Sequence, residues 1–225
     1  MINDEFIKNH SLLECLQEFK GASDGNSVEE REKSLNEPFS LLAKKILYGG
    51  YFAVGDKNNE EVYKMEIRSI EFYYHEEENF NQEHRILDPI VYHKNTTNNK
   101  KEAYKVGTFN AHVSGIDITF EDQVDARYRA SALIRTFSVF KDGKEIYEKH
   151  PTKMYDYLFM QISLPELRIK WVDSTIDKQC VLHTGNRINV YQYENGQKLD
   201  GKKGREKKND EREWRYSKDV IPSYE

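Results

Sequence analysis

Apolar and polar positions alternate with two different periods along this chain, and the change of period divides it. Phe6, Ile7, Leu12, Leu13, Leu16 and Phe19 form an amphipathic stretch, a polar segment over 21–27 follows, and Val28-Glu29-Glu30-Arg31-Glu32 resumes, which predicts two helices around a loop within residues 1–36. Pro38 precedes Phe39-Ser40-Leu41-Leu42-Ala43-Lys44-Lys45-Ile46-Leu47, whose apolar spacing predicts a short helix stopped by Gly49-Gly50. From Tyr51 onward strands take over. Residues 51–55 read as a strand, 56–59 as a turn and 62–74 as a long antiparallel partner. Residues 75–103 are polar and charged, with only 86–93 expected to pack. A hairpin over 107–120 turning near Ser114-Gly115, a strong strand over 130–140 and a turn at Asp142-Gly143 come next. Residues 155–167 are expected to be a helix interrupted near Pro165, 181–193 a strand bent at Gly185, and Trp214-Arg215-Tyr216 a short closing strand. No internal repeat is visible. The sum is an α+β fold, a curved antiparallel sheet or partly open barrel with flanking helices: one domain over 37–225 with a helical N-terminal extension over 1–36.

Composition agrees with a single core. The 225 residues are enough for one, and no Pro/Gly/Ser-rich linker divides them. A charged fraction of 32% marks a heavily solvated surface, while 15 Tyr and 11 Phe make aromatic rings a main filling of the interior. The start has neither a basic leader nor an apolar run, and no segment approaches membrane-spanning length, so a cytoplasmic monomer without a membrane partner is expected. Cys15 and Cys180 are expected to be free thiols, and the sequon at Asn95 idle. A net charge of -5 argues against broad affinity for a phosphate backbone. Its distribution leaves one exception. Lys202, Lys203, Arg205 and Lys207, set among Gly and Asn, read either as a solvated loop or as contacts to nucleic-acid phosphates.

Candidate chemistry begins at Glu71, one carboxylate in the strand Met65-Glu66-Ile67-Arg68-Ser69-Ile70-Glu71-Phe72-Tyr73-Tyr74, where a buried charge is costly unless something uses it. Ala130-Ser131-Ala132-Leu133-Ile134-Arg135-Thr136-Phe137 is an apolar strand holding one arginine. An arginine beside a glutamate favours its charged form and can orient a water, so Glu71 and Arg135 are the candidate catalytic pair. A structural Glu–Arg pair closing a sheet would use the same two residues. Tyr73, two residues on, shares the face of Glu71 and offers a flat ring for stacking. Neither zinc spacing nor a phosphate-cradling glycine loop occurs, and no lysine is placed beside Glu71, so no cofactor is expected.

Taken in order, these segments resemble the alkyladenine (3-methyladenine) DNA glycosylase family. Leu41-Leu42-Ala43-Lys44-Lys45-Ile46-Leu47 looks like the family's opening helix, the run from Ile67 to Tyr73 like its Ile-Val-Glu-x-Glu-Ala-Tyr strand, and Asp88 to His93 like the Asp and His that follow. Gly107-Thr108-Phe109, the strand around Arg135, Thr184-Gly185-Asn186-Arg187-Ile188-Asn189-Val190 and Trp214-Arg215-Tyr216 resemble four further blocks. The resemblance implies a hydrolase that cleaves the N-glycosidic bond of an alkylated or deaminated purine with a water activated by Glu71. It also implies a pocket shared by Tyr73, His93, His112 and Arg187, with Glu121 near the position that selects among purines. The hairpin tip Val113-Ser114-Gly115 is too small to wedge a duplex open, so modified single-stranded DNA or a nucleoside is the expected partner. Two other classes fit: a noncatalytic module that captures a modified base or nucleotide, and an interaction protein whose partner docks on residues 1–36.

Overall fold

A computed structural model of the chain describes residues 2–58, 61–79, 83–88, 90–91, 93–95, 99, 101–159, 162, 165–176, 180–188, 190, 193–194, 197–198 and 211–219. Four helices, α1 (Asp4–Asn9), α2 (Leu12–Gln17), α3 (Val28–Ser34) and α4 (Asn36–Tyr48), precede the strands. Then come β1 (Gly50–Gly55), β2 (Glu61–Glu76), β3 (Phe109–His112), β4 (Gly115–Thr119), β5 (Tyr128–Lys141) and β6 (Lys144–Glu148). A 3-10 turn over Pro151–Lys153 leads into α5 (Met154–Phe159), followed by β7 (Arg168–Asp173), β8 (His183–Gly185), β9 (Tyr193–Glu194), β10 (Gln197–Lys198) and β11 (Arg215–Ser217). Among the described residues nine strands form one curled antiparallel half-barrel sheet, and β9 pairs with β10 in a second, two-stranded sheet.

Two long strands organise that sheet. β2 and β5 pair from Lys64↔Phe140 to Glu76↔Tyr128, and each has two partners on its outer edge. β1 covers the first half of β2 and β11 the second; β4 covers the first half of β5 and β6 the second. Their shared ladder is irregular between Ile67 and Ile70. Before this step the core residues of β2 are Tyr63, Met65 and Ile67; after it they are Ile70, Phe72 and Tyr74. β5 changes in the same place, from Ala130, Ala132 and Ile134 to Phe137 and Val139. A side-chain period of two fixes which face a residue takes, so a three-residue step exchanges the faces. Glu71 and Tyr73 thereby leave the main core, and so do Ser131, Leu133 and Arg135.

Helix α4 covers the core face. Ser27 caps α3 through the Glu30 N–H, and Ser11 and Glu14 form a capping box on α2. Phe39 of α4 stacks on Phe72 with ring centroids 4.3 Å apart and meets Trp214 edge-on at 5.2 Å. Hairpin β5–β6 turns through Asp142 and Gly143, both at positive φ, the two-residue geometry that matches strand twist.

Several expectations need correction. Residues 2–36 are not a separable extension: Ile7, Leu12, Cys15, Leu16, Phe19 and Leu35 belong to the same core cluster as the sheet. Arg31 of α3 is fully buried and donates to Glu76 of β2 at 2.5 Å, while Tyr74 Oη and the Ile86 N–H also donate to that carboxylate. Helix α5 ends at Phe159, and β7, expected as neither helix nor strand, pairs with β1 along its whole length. Of the strand expected over 181–193, among the described residues only His183–Gly185 joins the main sheet. Among the described residues no helix is long and apolar enough to cross a membrane.

Because α3 carries the cation that Glu76 needs, Arg31→Ala should destabilise the whole protein by about 3–5 kcal/mol, as expected when a buried acid loses its partner. Urea unfolding would measure it, and a loss below about 1 kcal/mol would show that the N-terminal helices are only loosely held.

Candidate functional site

The face exchanged away from the core is hollow. A cavity of about 190 Å³ lies against Tyr73 of β2, Asp117 of β4 and Ser131, Leu133 and Arg135 of β5. Ile90, Val91, Ile188 and Val190 close it from the loops, and His112 and Ser114 from the β3–β4 turn. Pairing fixes the layout: Glu71, Leu133 and Asp117 stand in one row across three strands, and Tyr73, Ser131 and Thr119 in the next. Two strand spacings put the Glu71 and Asp117 backbones roughly 10 Å apart. The cavity is smaller than the roughly 300 Å³ at which drug-sized pockets begin, so it suits one ring system, not a nucleotide.

Glu71 lies behind the cavity wall and is fully buried. Its Oε1 accepts from the Ile188 N–H at 2.7 Å and its Oε2 from the Tyr73 hydroxyl at 2.9 Å. Arg135 Nε stands 3.6 Å from Oε1, too far for a direct hydrogen bond. Burial, and then the charge of Glu71, push the Tyr73 hydroxyl well above its usual range, so it stays a donor. Arg187 sits behind Tyr73, 4.8 Å from the ring centroid, and donates to Asp88 at 2.5 Å and to the Phe72 carbonyl at 3.3 Å. Burial alone would raise the Asp88 carboxyl; the charges of Arg187 and Arg212 outweigh it and hold the group below its ordinary range.

The hairpin wall is fixed as firmly. The Tyr155 hydroxyl accepts from the His112 N–H at 3.0 Å and reaches the Gly115 carbonyl at 2.5 Å, tying α5 to the β3–β4 turn. His112 Nδ1 accepts from the Ser114 N–H at 3.3 Å, which leaves Nε2 as the protonated nitrogen, 3.1 Å from Asp117 Oδ1. Asp117 Oδ2 accepts from Ser131 Oγ at 3.1 Å.

Of the residues expected at a site, the fold brings Glu71, Tyr73, His112 and Arg135 together, with Arg187 supporting Tyr73 from behind. His93 and Glu121 are a correction. They lie farther along the same face of β5, in a cluster where Arg129 donates to Glu77 and Glu121, each at 2.8 Å, and His93 contacts Glu121. Glu121 also accepts from the Tyr104 N–H at 2.9 Å, so its work is to hold the loop before β3. Lys202, Lys203, Arg205 and Lys207 lie outside the described residues. Asp117 and Ser131 were missed, although Asp117 carries the same signal as Glu71, a lone acid between isoleucines in a strand.

Compared with protein-family models, curated proteins and solved structures, the chain matches none. Among the described residues no three His, Cys, Asp or Glu side chains gather as a metal site. The cavity lining offers hydrogen bonding, stacking and charge: a flat ring in Tyr73, a cation in Arg135, and polar side chains in Asp117 and Ser131.

His75 Nδ1 accepts from the Asp88 N–H at 3.1 Å and so helps seat the Asp88–Arg187 pair. Burial lowers its pKa from the ordinary 6.5 to about 4, with Lys94 and Arg85 acting in the same direction and Glu77 and Asp88 opposing. Between these values the unfolded chain binds a proton that the folded chain refuses, so stability rises with pH through the window. From pH 7 to pH 4.5 this group should remove on the order of 2–3 kcal/mol. His75→Asn, which retains an acceptor but does not titrate, should lose correspondingly less over the same interval, read by urea unfolding at both pH values. An equal loss in both proteins would assign the acid sensitivity elsewhere.

Proposed function

We propose that the chain is a divergent relative of the alkyladenine DNA glycosylases, a hydrolase that seats one modified purine in this cavity and cleaves its N-glycosidic bond. The observation that carries the reading is the unclosed pair: Arg135 on the cavity wall, 3.6 Å from a Glu71 carboxylate already oriented by Tyr73 and Ile188. A water hydrogen-bonded to both groups would stand beside this contact, on the cavity side. Glu71 would take a proton from this water as its oxygen bonds to the anomeric carbon, and the electron pair of the breaking C–N bond would leave on the base nitrogen. Arg135 would hold the water and balance the charge of the acid. Tyr73 supplies a stacking face for the base, and the cavity's size suits the base alone, with the sugar and its phosphates outside.

The hairpin at the mouth supports a single-stranded or nucleoside substrate. Ser114 lines the cavity, and its neighbour Val113 is 83% exposed, a small tip that fills no gap in a base stack. A second reading, a binding module without catalysis, is favoured by one observation: both Glu71 oxygens already accept hydrogen bonds and the residue is sealed from the cavity. Donors that look closed in a free protein can open or tighten when ligand arrives, so the two readings part only on turnover.

Release of free base from alkylated and deaminated single-stranded DNA, duplex DNA and nucleosides, followed by mass spectrometry, decides between them. Glu71→Gln should stay folded, since the glutamine oxygen can still accept from the Ile188 N–H while its NH2 donates to the Tyr73 hydroxyl oxygen, and should lose roughly 10²–10⁴ in rate. Binding of base without release by the folded wild type would establish the module. Undiminished release by the variant would remove Glu71 from the chemistry.

A further inference from the structure

We infer that the free edge of β6 is a self-association surface, which pairs antiparallel with β6 of a second copy of this chain about a two-fold axis at Ile146. Among the described residues β6 pairs with β5 alone, so its other edge is uncovered. Ile146 and Tyr147 are 43% and 44% exposed there. Lys144 and Glu145 are exposed as well, and Glu148 is half-buried. An open edge with large apolar side chains accepts another strand unless its charges forbid it.

The backbone selects the register. Lys141 and Lys144 face each other directly across the two-residue turn. In such a hairpin the closing pair exchanges both hydrogen bonds and such pairs then alternate, so Lys144, Ile146 and Glu148 turn their N–H and C=O groups toward β5. Glu145 and Tyr147 turn theirs outward. When two identical strands meet antiparallel, one register sets every outward residue against an outward residue: Glu145 opposite Tyr147 on each side of a central Ile146 pair. The side chains agree with it. Ile146 lies on the face of the core residue Val139, so its counterpart covers apolar surface that the edge leaves open. Two residues away on the same face, Lys144 stands opposite Glu148 on both sides of the axis. Within one chain Lys144 is opposed only by the like charge of Lys141 and has no ion-pair partner among the described residues. Glu148 Oε1 accepts from the Tyr157 hydroxyl at 2.7 Å, which orients the carboxylate and leaves Oε2 for the second copy's Lys144. Charges that blunt an edge repel when it meets itself; these attract. Five residues a side fall short of the roughly 1,200 Å² of standard-size complexes, so the dimer is weak and reversible. The monomer expected from the sequence is its dilute form. β6 covers the half of β5 remote from Ser131 and Leu133, so both cavities stay open in the dimer.

Sedimentation equilibrium of the full chain tests this. The wild type should pass from monomer toward dimer as its concentration rises from about 10 μM to about 1 mM. Lys144→Glu and Glu148→Lys, each checked for folding by circular dichroism, place like charges opposite at both ends of the pairing and should each weaken association about tenfold. An equal mixture of the two variants should restore it, because every Glu then meets a Lys. A wild type that stays monomeric up to about 1 mM would overturn the inference, and so would variants that associate as tightly as the wild type. Association weakened in both variants and not restored by mixing would overturn the antiparallel register. Where a variant fails to fold, amide exchange of the wild type decides: the Glu145 and Tyr147 N–H groups should exchange more slowly in concentrated than in dilute solution, and no difference would overturn the inference.

Discussion

The step in the β2–β5 ladder between Ile67 and Ile70 is the constraint on which the rest of the molecule depends. Two strands of this length in one sheet would ordinarily keep one face to the core and one to solvent. Here the step exchanges the faces in both strands at once, so one half of the pair packs Met65, Ile67, Phe137 and Val139 into the core and the other half packs Ile70, Phe72, Ala132 and Ile134. Ser69 Oγ and Thr136 Oγ1 lie 2.7 Å apart at the crossing and satisfy each other where the ladder is interrupted. Without the step, the period of two would turn Glu71 toward the apolar core that helix α4 covers. With it, Glu71 and Arg135 arrive on a second face beside Tyr73 and Leu133. Irregularities of this type re-aim side chains near sites, and this one produces the cavity.

That second face is covered mostly by loops, which must be anchored without a ladder of their own. Buried ion pairs do the anchoring. Arg187–Asp88 pins the chain after β8 to the segment after β2, Arg129 with Glu77 and Glu121 pins the loop before β3, and Arg31–Glu76 pins α3. A buried pair adds little net stability, because desolvation of both ions offsets their attraction. What it adds is uniqueness: a slipped loop would strand a charge in an apolar medium, so misregistered packings are disfavoured by several kcal/mol each. The same economy explains why α1 to α3 are integral to the fold. Their apolar residues complete the core, and Arg31 completes Glu76.

Much of this fold was legible in the sequence, for reasons that can be named. Helix α4, the β1–β2 pair, the β3–β4 hairpin and the β5 strand with its Asp142-Gly143 turn follow from period and turn chemistry, which act locally. β7 was missed because Arg168-Ile169-Lys170-Trp171-Val172-Asp173 is a half-exposed edge whose strand character comes from its partner β1. The stretch after Gly185 read as strand because Ile188 and Val190 keep the alternation, yet the Ile188 N–H serves Glu71 and the Arg187 side chain serves Asp88 in place of a ladder. Glu71 stood out as a charge in an apolar strand, and Asp117 stood out equally. His93 and Glu121 were misread because nothing local reveals that Arg129, distant from His93 in sequence, fills the space between them and Glu77. The face exchange was written in the paired spacing Ile67–Ile70 and Ile134–Phe137, a step of three in strands of period two.

The burial of Glu71 bears directly on what the pocket is for. A carboxylate moved from water into a protein interior loses several kcal/mol of solvation, and a leucine at the same place would avoid that loss. Two neutral donors, the Ile188 N–H and the Tyr73 hydroxyl, restore part of it, and Arg135 at 3.6 Å restores less than a closed ion pair would. A pair retained only to stabilise the sheet would be expected to close, as Arg187–Asp88 and Arg31–Glu76 do at 2.5 Å in the same molecule. Against those two, the Glu71–Arg135 pair is open, and its cation borders the cavity. Asp117, which accepts from Ser131 Oγ and lies beside His112 Nε2, and the unclosed pair at Glu71 stand at the two ends of one row, separated by the apolar Leu133. Polar groups at both ends of a small slot with an apolar middle suit a flat, polar-edged ring, the ligand class proposed above.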